Sequence, residues 1–130
     1  MSAENTKFSN IVAAIDGSVS SLNAARFAIS LAQKDGAELT LLSIIHTAVG
    51  LGHAGKQEEW HKNERIKIED LFHQIEQEAQ KKNIVCKENI IETHMSVDGA
   101  IVNYAEEYKA DLVVIGTSAV SYTHLRAHET

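Results

Sequence analysis

The alternation of short apolar segments with helical patterns constrains this chain more than any other feature. Residues 11–15, 39–45 and 111–116 are mostly apolar and show no polar–apolar alternation. Strands that are apolar on both faces are typical of a parallel sheet with helices on each side. Residues 85–92 are more polar, which suits a strand at the edge of that sheet.

Stretches of helical spacing separate the strand segments, and the second of them covers about residues 58–82. The apolar positions of the three stretches are Leu22, Ala25, Ile29 and Ala32, then Ile68, Leu71, Phe72, Ile75 and Ala79, then Ile101, Tyr104, Ala105 and Tyr108. The order βαβαβαβ predicts a three-layer α/β fold with right-handed crossovers and helices on both faces of the sheet.

Capping residues mark the predicted helix ends. Ser18, Ser20 or Ser21 can cap the first helix, and Asp98 can cap the third. Gly36 follows the last periodic residues of the first helix, which is the usual place of a helix-ending glycine. These signals place two of the three helices directly after the loops that leave the strands.

Length, charge and cysteine content exclude several classes of protein. The 130 residues are enough for one domain, and the net charge of −6 without a basic stripe argues against a nucleic-acid partner. A single cysteine, Cys86, excludes a disulfide framework, and we expect a packed thiol rather than a nucleophile. The polar start of the chain carries no secretory pattern and no segment is apolar enough to span a membrane, so we expect a cytoplasmic protein without a membrane partner.

The loops after the first and fourth strands are the strongest candidate site. Parallel α/β sheets bind ligands where the strand order reverses, which for the predicted order 3-2-1-4 lies between strands 1 and 4. Residues 16–18 and 116–118 flank that crevice, and their small side chains let backbone N–H groups approach an anion. Asp16 can bond a sugar hydroxyl or reach a phosphate-bound Mg²⁺ through water. The same Asp-Gly-Ser is also what a plain turn with a helix cap requires, so both interpretations stay open.

Other motifs carry weaker signals. A Gly-x-Gly-x-x-Gly motif occupies residues 50–55. Four residues separate it from the strand end, which is too many for the tight turn of a dinucleotide site, so we expect a surface loop. The spacing of His46, His53 and His61 matches no pair on one helix face. Glu69 and His73 are four residues apart, but a lone pair cannot hold a metal, so all of these are interpreted as solvated side chains. We therefore predict no metal site.

Four segments together resemble the universal stress protein family. They are residues 11–18, 41–45, 100–106 and 110–117, of which the first and last are the most specific. The resemblance implies an adenine-nucleotide α-hydrolase-like, Rossmann-like sheet of order 3-2-1-4-5. It implies a stress-response protein that binds ATP, with or without Mg²⁺, and forms a homodimer. It also implies at most weak ATP hydrolysis, so we expect no enzyme and no catalytic residues.

The resemblance also assigns binding residues. Asp16, with Gly17 and Ser18, would contact the nucleotide at the end of strand 1, and Ile44 would bind the adenine edge through its backbone. Gly116, Thr117 and Ala119 would belong to the phosphate and ribose loop, and they are the remaining members of the predicted set. Ala119 stands where the family pattern has its second glycine.

The last residues depart from the family pattern. Residues 120–130 resemble a translated reading frame of the transposase adapter used in sequencing libraries, so we expect a domain over residues 1–119 and a non-native tail. His124 and His128 are excluded from metal-site reasoning for that reason. The rest of the glycine-rich loop and the family's fifth strand would then be missing. We therefore expect impaired ATP binding and an unpaired, aggregation-prone edge on strand 4.

Two alternatives remain beside nucleotide binding. Part of the universal stress protein family lacks the glycine pattern and acts through protein–protein contacts, which this chain could share. An adenylating ligase or nucleotidyl transferase of related fold would need a Ser-Gly-Gly-x-Asp-Ser or His-x-Gly-His motif. Neither motif occurs in this sequence.

Overall fold

The computed structural model describes residues 7–47, 54–116 and 118–120. The strands are β1 (Asn10–Ala14), β2 (Glu38–His46), β3 (Cys86–Thr93), β4 (Leu112–Ile115) and β5 (Ser118–Val120), and the helices are α1 (Val19–Asp35), α2 (Ala54–Gln80) and α3 (Val97–Glu107). The strands form one sheet of order β3-β2-β1-β4-β5.

The first four strands confirm the predicted parallel sheet of order 3-2-1-4. β1 pairs with β2 on one side and with β4 on the other, so Ile11 lies beside both Leu39 and Leu112. β3 pairs in parallel with β2 and forms the outer edge, as its polar sequence predicts. All β-to-α loops of this arrangement leave the sheet at the same edge, the carboxyl edge.

The expectation of an unpaired edge on β4 is wrong for the described residues. β5 runs antiparallel to β4, and Val114 pairs with Ala119 at the centre of the contact. Backbone groups at the edge of a buried strand are costly to leave unpaired, so the chain that follows β4 turns back and bonds to it. Val120 of the predicted tail is the last residue of β5, and residues 121–130 lie outside the described residues.

The ends of α1 follow the sequence signals. Ser18 is the residue that caps the helix, and its Oγ accepts a hydrogen bond of 3.1 Å from the N–H of Ser21. Gly36 ends the helix with φ of 68°, a left-handed conformation that glycine adopts without strain. The start of α1 is therefore held directly after the loop that leaves β1.

The starts of α2 and α3 correct two predictions. α2 begins at Ala54, four residues before the predicted start, and includes Gly55 of the glycine motif. α3 is capped by Ser96, whose Oγ accepts from the N–H of Gly99, and not by Asp98. Asp98 instead lies in the first turn of α3, where a carboxylate stabilises the positive end of the helix.

The sheet separates two apolar cores. On one face α1 and α2 cover the sheet, and Phe72 and Ile29 in this core are no more than 2% exposed. On the other face α3 packs against β1, β2 and β4 through Ile101 and Tyr104. Tyr108, which was predicted to face the core, is 51% exposed because α3 ends before it, and its ring stacks on Tyr104.

Asp111 joins the starts of β1 and β4. Its carboxylate accepts hydrogen bonds from the backbone N–H groups of Ser9 and Asn10, at 2.9 and 3.0 Å, and from the Ser9 hydroxyl at 3.2 Å. We expect Asp111→Ala to lower the free energy of unfolding by about 1–2 kcal/mol, because charged hydrogen bonds are lost at a partly exposed site. Urea denaturation measures it. Asp70→Ala, which removes an exposed carboxylate of α2, is the control, and an equal loss in both variants would contradict the assignment.

Candidate functional site

A cavity of about 180 Å³ lies at the carboxyl edge of the sheet, at the reversal between β1 and β4. Apolar side chains form most of its wall, and acidic or small residues stand at its mouth. It is lined by Ala14, Ile15, Asp16, Ser21, Leu42, Ile44, Val97, Asp98, Ile101, Ile115 and Gly116. We call this cavity the crevice.

The backbone of β2 extends past the end of β1 and presents peptide groups to the crevice. The N–H of Ile15 donates to the carbonyl of Leu42 at 2.8 Å, so the peptide groups of Leu42 point toward β1. In a parallel strand the groups of every second residue point to the same side. The N–H and C=O of Ile44 therefore point to that side too, at the place where β1 has ended. They offer one donor and one acceptor to a ligand.

Asp16 lies in the loop between β1 and α1. Its carboxylate accepts from the Ser18 N–H at 2.9 Å and from the Ser18 hydroxyl at 2.6 Å. These hydrogen bonds, the side-chain bond first, lower the pKa of Asp16 below its ordinary value, so the group is ionised at neutral pH. Gly17 adopts a φ of 91° between them, which permits this tight turn. The loop thus presents a fixed negative charge at the crevice.

Gly116 closes the crevice on the β4 side. A Cβ at this position would lie 3.0 Å from the Cβ of Ser20. It would also lie 3.2 Å from the carbonyl carbon of Ser20 and 3.2 Å from the backbone nitrogen of Ser21. Glycine therefore lets the end of β4 approach the first turn of α1. This contact brings the two loops predicted from the sequence to one place.

The structure brings most of the predicted binding residues together. Asp16, Ile44 and Gly116 line the crevice, and Gly17 and Ser18 belong to the same turn as Asp16. Of the other two members, Thr117 lies outside the described residues, and the backbone of Ala119 belongs to β5, paired with Val114. Their assignment as ligand-binding residues stays a prediction.

The sequence analysis missed the wall that α3 contributes. Val97, Asp98 and Ile101 line the crevice from the first turns of that helix. A signal was available, because the loop after β3 opens at the same edge of a parallel sheet as the loops after β1 and β4. The residues predicted for the site come from the two loops at the strand reversal and from Ile44 of β2, and none of them lies on α3.

A second, more open groove of about 470 Å³ lies between the β1–α1 turn and α2. Its walls combine acidic, basic and apolar side chains. Asp16 lines both the groove and the crevice, and Gly17 follows it in the same turn. The groove is lined by Asp16, Gly17, Glu64, Lys67, Ile68, Asp70, Leu71 and Gln74. The sequence analysis did not predict it.

The other candidates of the sequence analysis form no site in the described residues. Cys86 is buried, and its pKa is raised to about 11, first by burial and then by the charges of Glu76 and Glu88, as expected of a packed thiol. His46 is exposed, with Nδ1 2.8 Å from the Met95 carbonyl oxygen. Across residues 7–47, 54–116 and 118–120, no three His, Cys, Asp or Glu side chains could hold a metal ion. Residues 50–53 of the glycine motif, including His53, lie outside the described residues.

Comparison with known proteins identifies the family to which this chain belongs. The sequence model of the universal stress protein family matches residues 7–127. No curated protein sequence matches this chain significantly. Universal stress protein UspA from Lactobacillus plantarum has a similar structure, with a TM-score of 0.77, 23% identity, and coverage of 85% of this chain and 78% of that chain.

Two further similar structures contain nucleotides. A universal stress protein in complex with cAMP has a TM-score of 0.60 and 22% identity over 83% of this chain and 71% of that chain. The universal stress protein from Archaeoglobus fulgidus in complex with dAMP has a TM-score of 0.64 and 18% identity over 85% of this chain and 82% of that chain.

The chain belongs to the universal stress protein family, because the sequence model of that family matches most of its length. None of the helices described here is long and apolar enough to cross a membrane.

Proposed function

We propose that this chain binds an adenine nucleoside or nucleotide in the crevice and acts as a regulatory binding protein. The observation that carries the proposal is the apolar wall of the crevice, which ends at the N–H and C=O of Ile44 that face past the end of β1. Adenine has flat apolar faces and an edge with a donor and an acceptor, so it matches both features. The Asp16 carboxylate at the mouth can accept from a ribose hydroxyl.

Related structures support this choice of ligand. Two of the similar universal stress proteins described above were solved with cAMP and with dAMP, ligands that share the adenine base. The family resemblance implies ATP, with or without Mg²⁺, as the ligand. Our proposal also includes a homodimer and a role in the stress response, which the same resemblance implies. The base is the part that these ligands have in common.

The walls of the crevice favour binding over catalysis. Phosphoryl transfer requires positive groups that stabilise the charge of the transition state. Among the described residues that line the crevice, none is Lys, Arg or His. We therefore propose a regulatory binding role for the crevice rather than catalysis.

Isothermal titration calorimetry with adenosine tests the proposal. Ala14 is half-buried and lines the crevice, so Ala14→Leu places three additional carbons there. We expect the wild-type chain to bind adenosine and Ala14→Leu to lose at least about tenfold in affinity, or about 1.4 kcal/mol. Asp70→Asn, in the groove beside α2, is the control and should bind like wild type.

Two results would contradict the proposal. Absence of adenosine and AMP binding to the wild-type chain would favour the alternative in which the family fold acts through protein contacts alone. Unchanged affinity in a folded Ala14→Leu variant, combined with a loss in Asp70→Asn, would move the site to the groove. Circular dichroism of each variant shows whether it is folded.

A further inference from the structure

Met95 lies between the end of β3 and the start of α3, and its bonds connect three elements. Its backbone N–H donates to the Oγ1 of Thr93 at 3.1 Å, and its carbonyl accepts from the Nδ1 of His46 at 2.8 Å. Its sulfur accepts from the Nδ2 of Asn103, in the second turn of α3, at 3.9 Å. These contacts join the ends of β2 and β3 to α3.

The side chain of Met95 lies against the first turn of α3. A Cβ at Gly99 would lie 3.0 Å from the Oγ of Ser96 and 3.6 Å from the Cε of Met95, so the methyl group lies beside the helix cap. Ser96 is followed directly by Val97 and Asp98, which line the crevice. The Met95 side chain therefore supports the wall that α3 contributes to the crevice.

The thioether of Met95 is accessible to a small oxidant. The residue is 43% exposed, and peroxides convert methionine to its sulfoxide. In this step one peroxide oxygen forms a bond to sulfur, the O–O bond breaks, and the other oxygen leaves as water, so sulfur is oxidised and the peroxide is reduced. Cys86, the other sulfur-containing residue of the described chain, is buried, and burial raises the pKa of its thiol to about 11, which leaves little reactive thiolate.

We propose that Met95 is a reversible oxidation site whose sulfoxide loosens the α3 wall of the crevice and weakens ligand binding. A sulfoxide oxygen is a stronger hydrogen-bond acceptor than a thioether sulfur, so it attracts water and the amide of Asn103. The side chain then leaves its apolar contact with Gly99, and the first turn of α3 loses part of its cover. The effect on ligand binding rests on the proposed function, whereas the modification does not.

Dilute hydrogen peroxide, applied to the folded chain and followed by peptide mass spectrometry, tests the modification. We expect the peptide that contains Met95 to gain one oxygen atom. Methionine sulfoxide reductases, one for each epimer, should remove it again. If Met95 stays reduced in the folded chain under peroxide that oxidises it in urea, the proposal is overturned.

Hydrogen exchange measures the α3 wall without any ligand. The N–H groups of Gly99 and Ala100 donate to the Oγ and the carbonyl of Ser96, at 3.1 and 2.9 Å, so they report on the first turn of α3. After oxidation we expect exchange at both amides to become at least about threefold faster. Adenosine affinity, measured by calorimetry, should fall by roughly threefold.

Met95→Leu is the matched control. Leucine keeps an apolar side chain of similar volume but has no sulfur to oxidise. Met1 and Cys86 are present in both proteins, so the control also carries any oxidation at those residues. Peroxide should therefore leave the exchange rates and the adenosine affinity of Met95→Leu unchanged.

The outcomes separate this inference from the proposed function. If Met95 is oxidised but exchange at Gly99 and Ala100 is unchanged, its role in the wall is wrong and the proposed function stands. Equal changes in peroxide-treated Met95→Leu would assign them to another residue and would also overturn the inference. If the reduced chain binds no adenosine, the proposed function fails, and the exchange rates still decide the role of Met95.

Discussion

Phe72→Ala is expected to lower the free energy of unfolding by about 3–5 kcal/mol. Phe72 is 1% exposed and lies on the inner face of α2, among the side chains of the larger core. Alanine would remove an aromatic ring from a close-packed region, and its neighbours could fill the resulting cavity only in part. Since a domain of this size is stable by about 5–15 kcal/mol, the variant would be close to unfolding at moderate temperature.

The same substitution on α1 is the control. Phe27 is 52% exposed, so Phe27→Ala should change the free energy of unfolding by less than about 1 kcal/mol. Urea denaturation followed by circular dichroism measures both variants on one scale. Similar losses in the two variants would show that α2 is not packed on the sheet as described.

Gly116→Val is expected to have the second-largest effect, a loss of about 3 kcal/mol with loss of adenosine binding. Any Cβ at this position meets the backbone of Ser20 and Ser21 at 3.2 Å, and a backbone cannot move aside as a flexible side chain can. The first turn of α1 and the end of β4 would therefore separate. The mouth of the crevice depends on that contact, so stability and binding should fall together.

Gly36→Ala separates this steric effect from the conformational freedom of glycine. Nothing lies within 4 Å of a Cβ at Gly36, and only its φ of 68° disfavours another residue. We expect a loss of about 1 kcal/mol and unchanged binding of adenosine. Urea denaturation and calorimetry measure the two variants. Normal adenosine affinity in Gly116→Val would contradict the role given to the contact between β4 and α1.

The sequence was sufficient for the parallel sheet and for part of the site. Apolar runs without alternation identify strands buried on both faces, and the order of elements then leaves few topologies. Asp16 follows one such run and Gly116 ends another, so their convergence at the strand reversal could be predicted. Ile44 was assigned by the family resemblance, and the geometry of β2 gives that assignment a physical basis.

Features that depend on short segments or on tertiary contacts could not be predicted in this way. β5 has three residues, too few to show a period, and forms because the edge of β4 offers unpaired backbone groups. Ser96 and Asp98 are both good capping residues, and only the position of α3 on the sheet decides between them. The α3 wall of the crevice has the same origin, since no local pattern says which helix turn faces a cavity.

The most direct test of the central claim is an NMR titration of the isotope-labelled chain with adenosine, followed through the backbone amides. We predict the largest shift changes at Asp16, Ile44, Asp98 and Gly116, which surround the crevice. Changes confined to Lys67, Asp70 and Gln74 would place the ligand in the groove beside α2, and an unchanged spectrum at millimolar adenosine would exclude an adenosine site; either result would contradict the account.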